Sequence, residues 1–421
     1  MEYYDVLVAG GGPAGTVAAI QAARAGASAL LVEKTGVLGG TMVAAGVNAP
    51  ASFFAYDRQV IAGIGWELVR RTLEATGQPV PRAAAPDSET GILHVTIDAA
   101  VFAALADEAV LAAGAEMLLH TMLASARLDA DGWTVRLCTK TGLRPVRAKV
   151  LVDCTGDANA VSLAGLEVRR PAKLQPGTLV VRFGGYDFAA LDLEAIQAAF
   201  DREVAAGRLR PSDAGWFGGK LAALLRGGGG NCIHVTGIDG RTSEGRTAAE
   251  VAGRRVMLRL LRFLRAQPGL EGCRVTSFAC ECGIRETVTI LGRACVTGED
   301  YSSGRLWDDA VCYSHYAIDI HEEAGLDYRR LQRGVYPTIP LGAMLPAGAR
   351  QLIVAGRCIS GDRDAHAAYR VQATCMATGQ AAGAAAALAA RRGCDVADVP
   401  LGELRALLAA HGAIVPHLHP M

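Results

Sequence analysis

Apolar residues along this chain fall into short runs that end at glycine-rich turns. The first run, residues 4–9 (YDVLVA), is followed by a glycine turn, an alanine-rich stretch at residues 13–26, and a second apolar run at residues 28–33. Short, continuously apolar runs are typical of strands that are buried on both faces. The alanine-rich stretch predicts a helix that ends at Gly26, where a left-handed C-cap is expected. The first 35 residues therefore predict strand, turn, helix and strand.

Two later segments repeat the apolar run and its turn, at residues 148–157 (AKVLVDCTGD) and 351–356 (QLIVAG). A long stretch of small residues follows, from Ala373 to Ala390. It is too weakly apolar for a good membrane span, and we interpret it as a buried helix that approaches a sheet or a cofactor closely. Parallel strands that end in glycine turns suit a doubly wound sheet whose carboxyl edge faces a ligand. The pattern therefore predicts an α/β fold.

The middle of the chain differs from both ends in its pattern of residues, and this difference predicts the domain organisation. We expect the sheet domain to be formed by residues 1–165, with a peripheral excursion at about 47–91, and to be closed by residues 346–421. Between them, residues 166–345 mix helical stretches with glycine-rich segments. We assign this middle part to an inserted α+β substrate or cap domain.

Composition excludes some classes of protein. The 421 residues suffice for two domains, and Lys+Arg and Asp+Glu balance at 42 each, so no net field attracts nucleic acid or an anionic membrane. The 11 Cys have no regular spacing, and an apolar strand begins at Tyr4, so we expect a reduced, cytoplasmic protein without a signal peptide. Cys280 and Cys282 are too close for a usual zinc knuckle, and we expect no metal; they are either core thiols or a redox pair.

A dinucleotide-binding fingerprint joins the first predicted strand and helix. Its glycines, Gly10, Gly12 and Gly15, permit the tight turn, the approach of a pyrophosphate and close helix–strand packing. The helix N-terminus presents unpaired N–H groups to the anion, beside Pro13 and Ala14. Glu33 ends the second strand, where a carboxylate accepts hydrogen bonds from ribose hydroxyls.

Two further glycine segments separate FAD from NAD. Residues 34–41 (KTGVLGGT) resemble the second glycine loop that many FAD proteins pass under the cofactor. Near the other end, LIVAGRCISGD contains Gly356, Arg357 and Asp362, and resembles the FAD-specific C-terminal motif of the glutathione-reductase-like superfamily. The resemblance implies that Asp362 holds the ribityl chain, and that the next helix points its N-terminus at the flavin pyrimidine.

Five segments together resemble the FAD-dependent oxidoreductase family that is found widely in bacteria and is loosely related to fumarate-reductase flavoproteins. They are DVLVAGGGPAG, LLVEKTGVLGGT, VDCTGDANAVSLAG, GIRETVTILG and VAGRCISGDRDAHAAYRVQATCMATGQAAG. The resemblance implies a Rossmann-type FAD-binding domain of the glutathione-reductase-like superfamily that holds one FAD non-covalently. The chain has Val288-Thr289 where the family carries arginines, and Gly342-Ala343 in place of a more polar pair, and both departures concern the substrate class. The residues expected to contact FAD are Gly10, Gly12, Pro13, Ala14, Gly15, Glu33, Lys34, Gly39, Gly40, Thr41, Leu123, Thr155, Gly156, Asp157, Gly356, Arg357, Asp362, Arg370, Val371 and Gln372.

Motifs that the sequence lacks exclude several classes of flavin-dependent reaction. The stretch after the second glycine loop has no cysteine pair of the disulfide-reductase type, and the chain lacks the WxWxIP signature of flavin halogenases. A second strand-bound GxGxxG is also absent, so a separate NAD(P)H domain is not expected. We therefore predict direct hydride transfer between FAD and a small organic substrate. A flavin monooxygenase and a flavin-holding subunit that relays electrons remain alternatives, and a homodimer or an unknown electron acceptor is a possible partner.

Four polar residues are candidates for catalysis: Arg285, His315, His321 and His366. Arg285 in GIRET is either a substrate anchor or the partner of Glu286 or Glu281. His315 and His321 are six apart, so on a helix they would not share a face. A general base near neutral pH would suit alcohol or amine oxidation, because a substrate proton must leave as the hydride moves.

Overall fold

The computed structural model describes residues 1–83, 91–215, 219–231, 233–322 and 325–421. Of the predicted excursion at 47–91, residues 84–90 lie outside these ranges. The helices are α1 (Pro13–Arg24), α2 (Ile64–Ala75), α3 (Ala99–Ala112), α4 (Asn159–Leu163), α5 (Leu193–Ala205), α6 (Leu221–Arg226), α7 (Ser243–Arg265), α8 (Gly298–Ser303), α9 (Arg363–Tyr369), α10 (Gln372–Arg392) and α11 (Leu401–Ala410). The strands are β1 (Glu2–Ala9), β2 (Ala29–Val32), β3 (Phe54–Ala55), β4 (Arg58–Gln59), β5 (Glu116–Leu118), β6 (Met122–Asp129), β7 (Gly132–Thr139), β8 (Gly142–Asp153), β9 (Val168–Arg169), β10 (Gly177–Thr178), β11 (Val181–Gly184), β12 (Gly229–Gly230), β13 (His234–Val235), β14 (Arg274–Phe278), β15 (Thr289–Ile290), β16 (Ala310–Tyr313), β17 (Ile318–Glu322), β18 (Gly325–Arg329), β19 (Thr338–Pro340) and β20 (Leu352–Val354).

The four strands that the apolar runs predicted, β1, β2, β8 and β20, lie in one sheet. β1 pairs in parallel with β2 on one side and with β8 on the other, and β5 extends the sheet beyond β2. The end of β8 pairs in parallel with β20, while its beginning pairs with the antiparallel hairpin β6–β7. The parallel strands therefore end at one edge, as in a Rossmann-like sheet, and the predicted α/β class is confirmed.

The first strand, helix and strand form as the sequence predicts. α1 runs from Pro13 to Arg24, and Gly26 follows its last turn with a φ of +86°, which only glycine adopts without strain. β1 and β2 are buried over their last four residues, which accounts for their continuously apolar sequence.

Helix α10 is the long stretch of small residues, and it packs against α1. A Cβ on Gly379 would lie 2.1 Å from the Ala14 carbonyl oxygen, and one on Gly383 would lie 2.2 Å from that of Ala18. The small side chains thus allow α10 to approach another helix closely. We had predicted a close approach to a sheet or a cofactor, and the contact with α1 was not predicted. Among the described helices, none is both long and apolar enough to cross a bilayer.

Two large apolar cores and one small cluster, of Ala51, Ile92 and Ala317, are present among the described residues. The larger core surrounds the sheet, and the smaller core runs from Leu179 to Ile284, around α5, α6, α7 and short antiparallel strands. Most buried apolar residues from Val288 to Leu345, which we assigned to the inserted domain, belong to the larger core. The domain limits stay a prediction. The packing differs from that prediction in one respect, because part of the segment assigned to the inserted domain packs in the larger core.

Candidate functional site

A cleft opens at the edge where β1, β2, β8 and β20 end. The segments that line it come from both glycine loops, from the turn after β8, from the turn after β20 and from the start of α10. The middle of the chain contributes a second wall, which includes Asn231, Arg246, residues 281–285, Tyr316, Asp319 and His321. The topology therefore brings together the motifs that lie more than 300 residues apart in sequence.

The first glycine loop turns tightly at the floor of the cleft. Gly10 has a φ of +96°, and a Cβ there would lie 2.5 Å from the Cys154 carbonyl oxygen. A Cβ on Gly15 would lie 1.7 Å from the carbonyl oxygen of Gly10, so these two glycines are required by packing. Gly12 differs, because a Cβ there would meet nothing within 4 Å. Gly12 faces the open cleft, where a ligand can approach the backbone.

Glu33 stabilises this loop through both carboxylate oxygens. Oε2 accepts a 2.7 Å hydrogen bond from the Gly11 N–H, and Oε1 accepts 2.8 Å bonds from the N–H and the hydroxyl of Thr35. The side chain is buried at the edge of the cleft. Glu33 therefore lies where the sequence placed it, and it also fixes the loop itself.

The second glycine loop packs on the first. The N–H of Gly39 donates to the Gly11 carbonyl at 2.8 Å, and a Cβ on Gly40 would lie 2.8 Å from Gly12 Cα. Lys34 forms a 2.5 Å ion pair with Glu281 across the cleft, and Thr41 also lines it.

Asp157 joins the sheet side of the cleft to the middle of the chain. Its Oδ1 contacts Arg357 Nη2 at 2.6 Å, and its Oδ2 contacts Arg246 Nη2, from α7, at 2.7 Å. Thr287 donates a further bond of 2.9 Å. Burial raises the pKa of Asp157, but the charges of Arg357 and Arg246 outweigh it, and the net shift is downward. The neighbouring Thr155 and Gly156 also line the cleft.

The turn after β20 leads to the start of α10. Gly356, with a φ of +85°, donates its N–H to the Thr378 hydroxyl at 3.1 Å. Val371 and Gln372 line the cleft at the N-terminal end of α10, and Gln372 donates a 2.7 Å bond to the Val47 carbonyl. The N-terminus of this helix therefore lies at the cleft, as the sequence predicted.

Four residues that we expected at FAD are not among the residues that line the cleft: Gly15, Gly39, Leu123 and Asp362. Asp362 caps the short helix α9: its Oδ1 accepts from the Ala365 N–H and its Oδ2 from the Gly298 N–H, both at 2.9 Å. Leu123 is half-buried on β6 and packs against the larger core. Asp362 therefore caps a helix in this structure, and its contact with FAD stays a prediction.

Two of the four catalytic candidates, Arg285 and His321, line the cleft. Arg285 is buried and donates a 2.7 Å hydrogen bond to the Pro176 carbonyl. Burial and the nearby Arg370 lower its pKa to about 9, so the guanidinium stays charged at neutral pH. Glu281 and Glu286, its expected alternative partners, are engaged by Lys34 and by the Gln175 N–H.

The other two candidates, His315 and His366, lie buried outside the residues that line the cleft. His315 is in the loop between β16 and β17, not on a helix, and its ring packs near those of Tyr56 and Tyr336. His366 is on α9, with its ring edge-on to Tyr369. Burial lowers the pKa of His315 to about 4 and that of His366 well below its ordinary value. Neither is placed to exchange protons with a ligand in the cleft.

A chain of side chains that sequence reasoning missed surrounds His321. Its Nδ1 lies 3.0 Å from His234 Nε2, and its Nε2 lies 3.3 Å from Asp319 Oδ2. Arg370 Nη2 contacts the Asp319 backbone carbonyl at 3.0 Å and Oδ2 at 3.5 Å. The alternation Ile318-Asp319-Ile320-His321 was the available signal, because it predicts a strand with both polar residues on one face.

Burial sets the protonation of this chain. It lowers the pKa of His321 to about 4 and that of His234 to about 3, so both imidazoles are neutral at pH 7. Burial raises the pKa of Asp319, but His321 and Arg370 outweigh it and the net shift is downward. The group therefore combines an ionised carboxylate with two neutral imidazoles.

Cys280 and Cys282 are free thiols in the structure. Cys280 is exposed and donates to the Ala44 carbonyl, whereas Cys282 is buried and lines the cleft. Burial raises the pKa of Cys282 to about 12, which leaves it protonated at neutral pH.

The cleft fits a dinucleotide in two respects. The backbone at Gly12 is open to the cleft, beside the N–H groups at the start of α1. Arg357 Nη1, a buried donor that also belongs to the cleft, has no hydrogen-bond partner among the described residues. A buried donor without a partner costs about 1–3 kcal/mol, and an anionic ligand would satisfy it.

Curated proteins match short parts of the chain. A dihydrolipoyl dehydrogenase from Trypanosoma brucei brucei is 58% identical over 43 residues, and a mitochondrial one from Schizosaccharomyces pombe is 36% identical over 77 residues. These matches cover 10% and 18% of this chain, and only 9% and 15% of the relatives.

Solved structures match over greater lengths with low identity. A geranylgeranyl bacteriochlorophyll reductase-like protein from Thermoplasma acidophilum is 15% identical, with a TM-score of 0.47, over 97% of this chain and 83% of its own. The p-nitrophenol 4-monooxygenase of Pseudomonas putida is 14% identical, with a TM-score of 0.41, over 97% and 87%.

One family model extends over nearly the whole chain. It matches residues 5–408 and describes the FAD dependent oxidoreductases, which confirms the family resemblance and the cofactor that the glycine motifs indicated. The matched range contains both glycine loops, the turn after β20 and the charged wall of the cleft. The chain therefore belongs to the FAD dependent oxidoreductase family, and its cofactor is FAD.

Proposed function

We propose that this enzyme transfers a hydride between a small organic substrate and non-covalently bound FAD, on a Rossmann-type domain of the glutathione-reductase-like superfamily. One observation supports this most: the cleft brings the glycine loops together with a group of polar side chains, which are Arg285, Asp319 and His321 from the middle of the chain and Arg370 from beside α10. The glycine loops suit a cofactor, and the charged group suits a substrate beside it.

The residues that would hold FAD act mainly through backbone and polar contacts. The open backbone at Gly12 and the start of α1 would receive the pyrophosphate, and Glu33 would accept the ribose hydroxyls. The start of α10 would present its N–H groups and its positive dipole to the flavin. When bound, FAD supplies the acceptor or donor of the hydride. Because no attachment residue is recognisable in these segments, we expect acid or heat to release the flavin.

Asp319 is the proposed proton acceptor. Oxidation of a C–H bond beside an O–H or N–H removes a hydride from carbon and a proton from the heteroatom. The Oδ2 atom of Asp319 is engaged by His321 and Arg370, and its Oδ1 atom has no hydrogen-bond partner in the described part of the chain. An ionised carboxylate with one free oxygen, in a cleft, has the geometry and charge of a general base.

His321 and His234 are proposed to position that base. Both ring nitrogens of His321 are engaged, one by Asp319 and one by His234, so the ring cannot turn toward a ligand without losing a buried hydrogen bond. His234 thereby fixes the tautomer of His321, and His321 fixes the carboxylate.

A screen of small alcohols, amines and acids under anaerobic conditions tests the proposal. A substrate should bleach the flavin absorbance, and deuterium at the reacting carbon should slow the bleaching. Asp319→Asn should reduce the bleaching rate by about 100-fold or more, the range for a general base, with unchanged FAD content. Asp131→Asn, at an exposed carboxylate, is the matched control.

Two outcomes would favour the alternatives. Incorporation of an oxygen atom from labelled O2 into the product would support a monooxygenase and contradict simple hydride transfer. Reduction of the flavin only by another protein, and by no small molecule, would support an electron-relay subunit.

A further inference from the structure

Arg285 is a buried cation without a carboxylate partner. Its residue is 7% exposed, and the hydrogen bond that positions it goes to a neutral acceptor, the Pro176 carbonyl. Within the described ranges, no carboxylate lies at ion-pair distance from it, since Glu281 pairs with Lys34 and Glu286 accepts from the Gln175 N–H. A guanidinium has five N–H donors, so most of its hydrogen-bonding capacity is left for the cleft.

Arg370, next to the start of α10, adds a second guanidinium to the cleft. Its Nη2 contacts Asp319, but its Nε is buried and has no hydrogen-bond partner among the residues described. Both arginines line the same cleft, and Arg370 contacts Asp319 there. Two like charges held together out of water are stabilised by an anion.

The charges that face this part of the cleft sum to one positive charge. Arg285 and Arg370 contribute two positive charges, and the ionised Asp319 contributes one negative charge. The remaining titratable groups around them are neutral at pH 7: burial lowers the pKa values of the imidazoles and raises those of the phenol and the thiol. They are His94, His234, His321, Tyr316 and Cys282.

We propose that Arg285 and Arg370 form a carboxylate subsite, and that the substrate is a small organic monocarboxylate whose reacting carbon lies toward Asp319. This inference rests on the proposed function and names its substrate class. A planar carboxylate accepts two parallel hydrogen bonds from a guanidinium, and its single charge matches the net charge of the site. A phosphate monoester carries about −1.5 to −2 at pH 7, which is more than this wall neutralises.

Binding of unreactive acids to the FAD-loaded enzyme tests the subsite without knowledge of the true substrate. Propionate and benzoate should perturb the flavin absorption spectrum saturably, and calorimetry should give the same dissociation constants. Propionamide and benzamide, which have the same shape without the charge, should bind at least about tenfold more weakly, because charge-assisted bonds are lost. Inorganic phosphate should also bind more weakly than propionate.

Substitutions of arginine test whether the binding of propionate depends on Arg285. Arg285→Gln should raise the dissociation constant of propionate at least about tenfold with unchanged FAD content, and Arg285→Lys should give an intermediate value. Arg262→Gln, at an exposed arginine on α7, should leave binding unchanged. The comparison of acid with amide uses the wild-type enzyme, so it remains decisive even where a variant fails to fold.

Equal binding of acid and amide, tighter binding of phosphate, or unchanged propionate affinity in a folded Arg285→Gln enzyme would each overturn the subsite. The proposed function fails separately. Rapid reduction of the flavin by a neutral alcohol or amine, without competition from propionate, would leave hydride transfer standing and remove the subsite. Arg285-dependent binding of propionate, without hydride transfer from any small molecule, would keep the subsite and contradict the proposed hydride transfer.

Discussion

Buried histidines make folding stability depend on pH. Burial lowers the pKa of His234 to about 3 and those of His315 and His321 to about 4, whereas an imidazole in the unfolded chain titrates near 6.5. Between pH 6.5 and about 4 the unfolded state therefore binds more protons than the folded state. The free energy of unfolding should fall as the pH falls through this range, by up to about 1.4 kcal/mol per pH unit for each histidine.

Urea unfolding at pH 7, 6 and 5 checks this pH dependence. His315→Gln should reduce the slope of stability against pH by close to one proton, because that residue no longer titrates on unfolding. An identical slope in wild type and His315→Gln would show that His315 is not buried as a neutral ring.

Glu33 should be essential for FAD affinity. Its carboxylate organises the Gly11 N–H and Thr35, and it is the proposed acceptor of the ribose hydroxyls. Since a charge-assisted hydrogen bond contributes about 1.5–3 kcal/mol, Glu33→Gln should weaken FAD binding about tenfold or more. Fluorescence titration with FAD measures the change, with the exposed Glu74→Gln as control. An affinity within twofold of wild type would remove Glu33 from the site.

At the scale of single residues, the sequence predicted a position correctly where only one kind of residue suits it. Gly10 and Gly15 were predictable because any Cβ there would clash, and Glu33 because it ends the second strand. Asp319 was missed because its proposed role depends on the packing of β17 against α9, which brings it to Arg370, and sequence spacing does not show that contact. The helix cap at Asp362 was not predicted, because a carboxylate after a strand suits a helix cap as well as a cofactor.

The contact between α1 and α10 holds the two ends of the chain together. A Cβ on Gly379 would lie 2.1 Å from the Ala14 carbonyl oxygen, so Gly379→Val must push the helices apart. We expect a loss of about 1–3 kcal/mol in the free energy of unfolding, the usual cost of overpacking. Gly402→Ala, on α11, should instead be neutral or stabilising, because its Cβ would meet nothing within 4 Å.

Thermal unfolding of the two variants measures this contrast. A melting temperature of Gly379→Val equal to that of wild type would contradict the close packing of α1 and α10.

At the scale of helices and strands, the sequence predicted the elements themselves, since apolar runs and glycine turns mark them locally. The partner of α10 was not predictable, because alanine and glycine permit close approach to a helix, a sheet or a cofactor alike.

For the whole molecule, the absence of a second dinucleotide fingerprint from the sequence bears on the source of electrons. The glycine run at residues 227–230 leads from the end of α6 into β12, which is not the strand-to-helix order that a dinucleotide requires. NADPH should therefore reduce the flavin more slowly than about 10 per second, a typical enzymatic turnover. Stopped-flow bleaching of the flavin by NADPH at that rate or faster would contradict this expectation.

The overall architecture was predictable because both ends of the chain carry the same strand-and-turn pattern. The extent of the inserted domain stays a prediction, and sequence did not show that most buried apolar residues between Val288 and Leu345 join the larger core although they follow the smaller core in sequence. Hydrophobic pattern shows that a residue is buried, but it does not show in which core.

The central claim is that FAD binds in the cleft against the open backbone of Gly12, and an FAD titration of Gly12→Val tests it most directly. A side chain at this position meets no protein atom within 4 Å of its Cβ, and the φ of −70° suits any residue, so the fold should tolerate valine. After removal of flavin, the variant should melt within about 2 °C of wild type, as expected for a substitution without packing consequences. Its dissociation constant for FAD should nevertheless be at least about tenfold higher, because the valine occupies the space the pyrophosphate needs. An unchanged dissociation constant in the folded variant would contradict the assignment of this cleft to FAD.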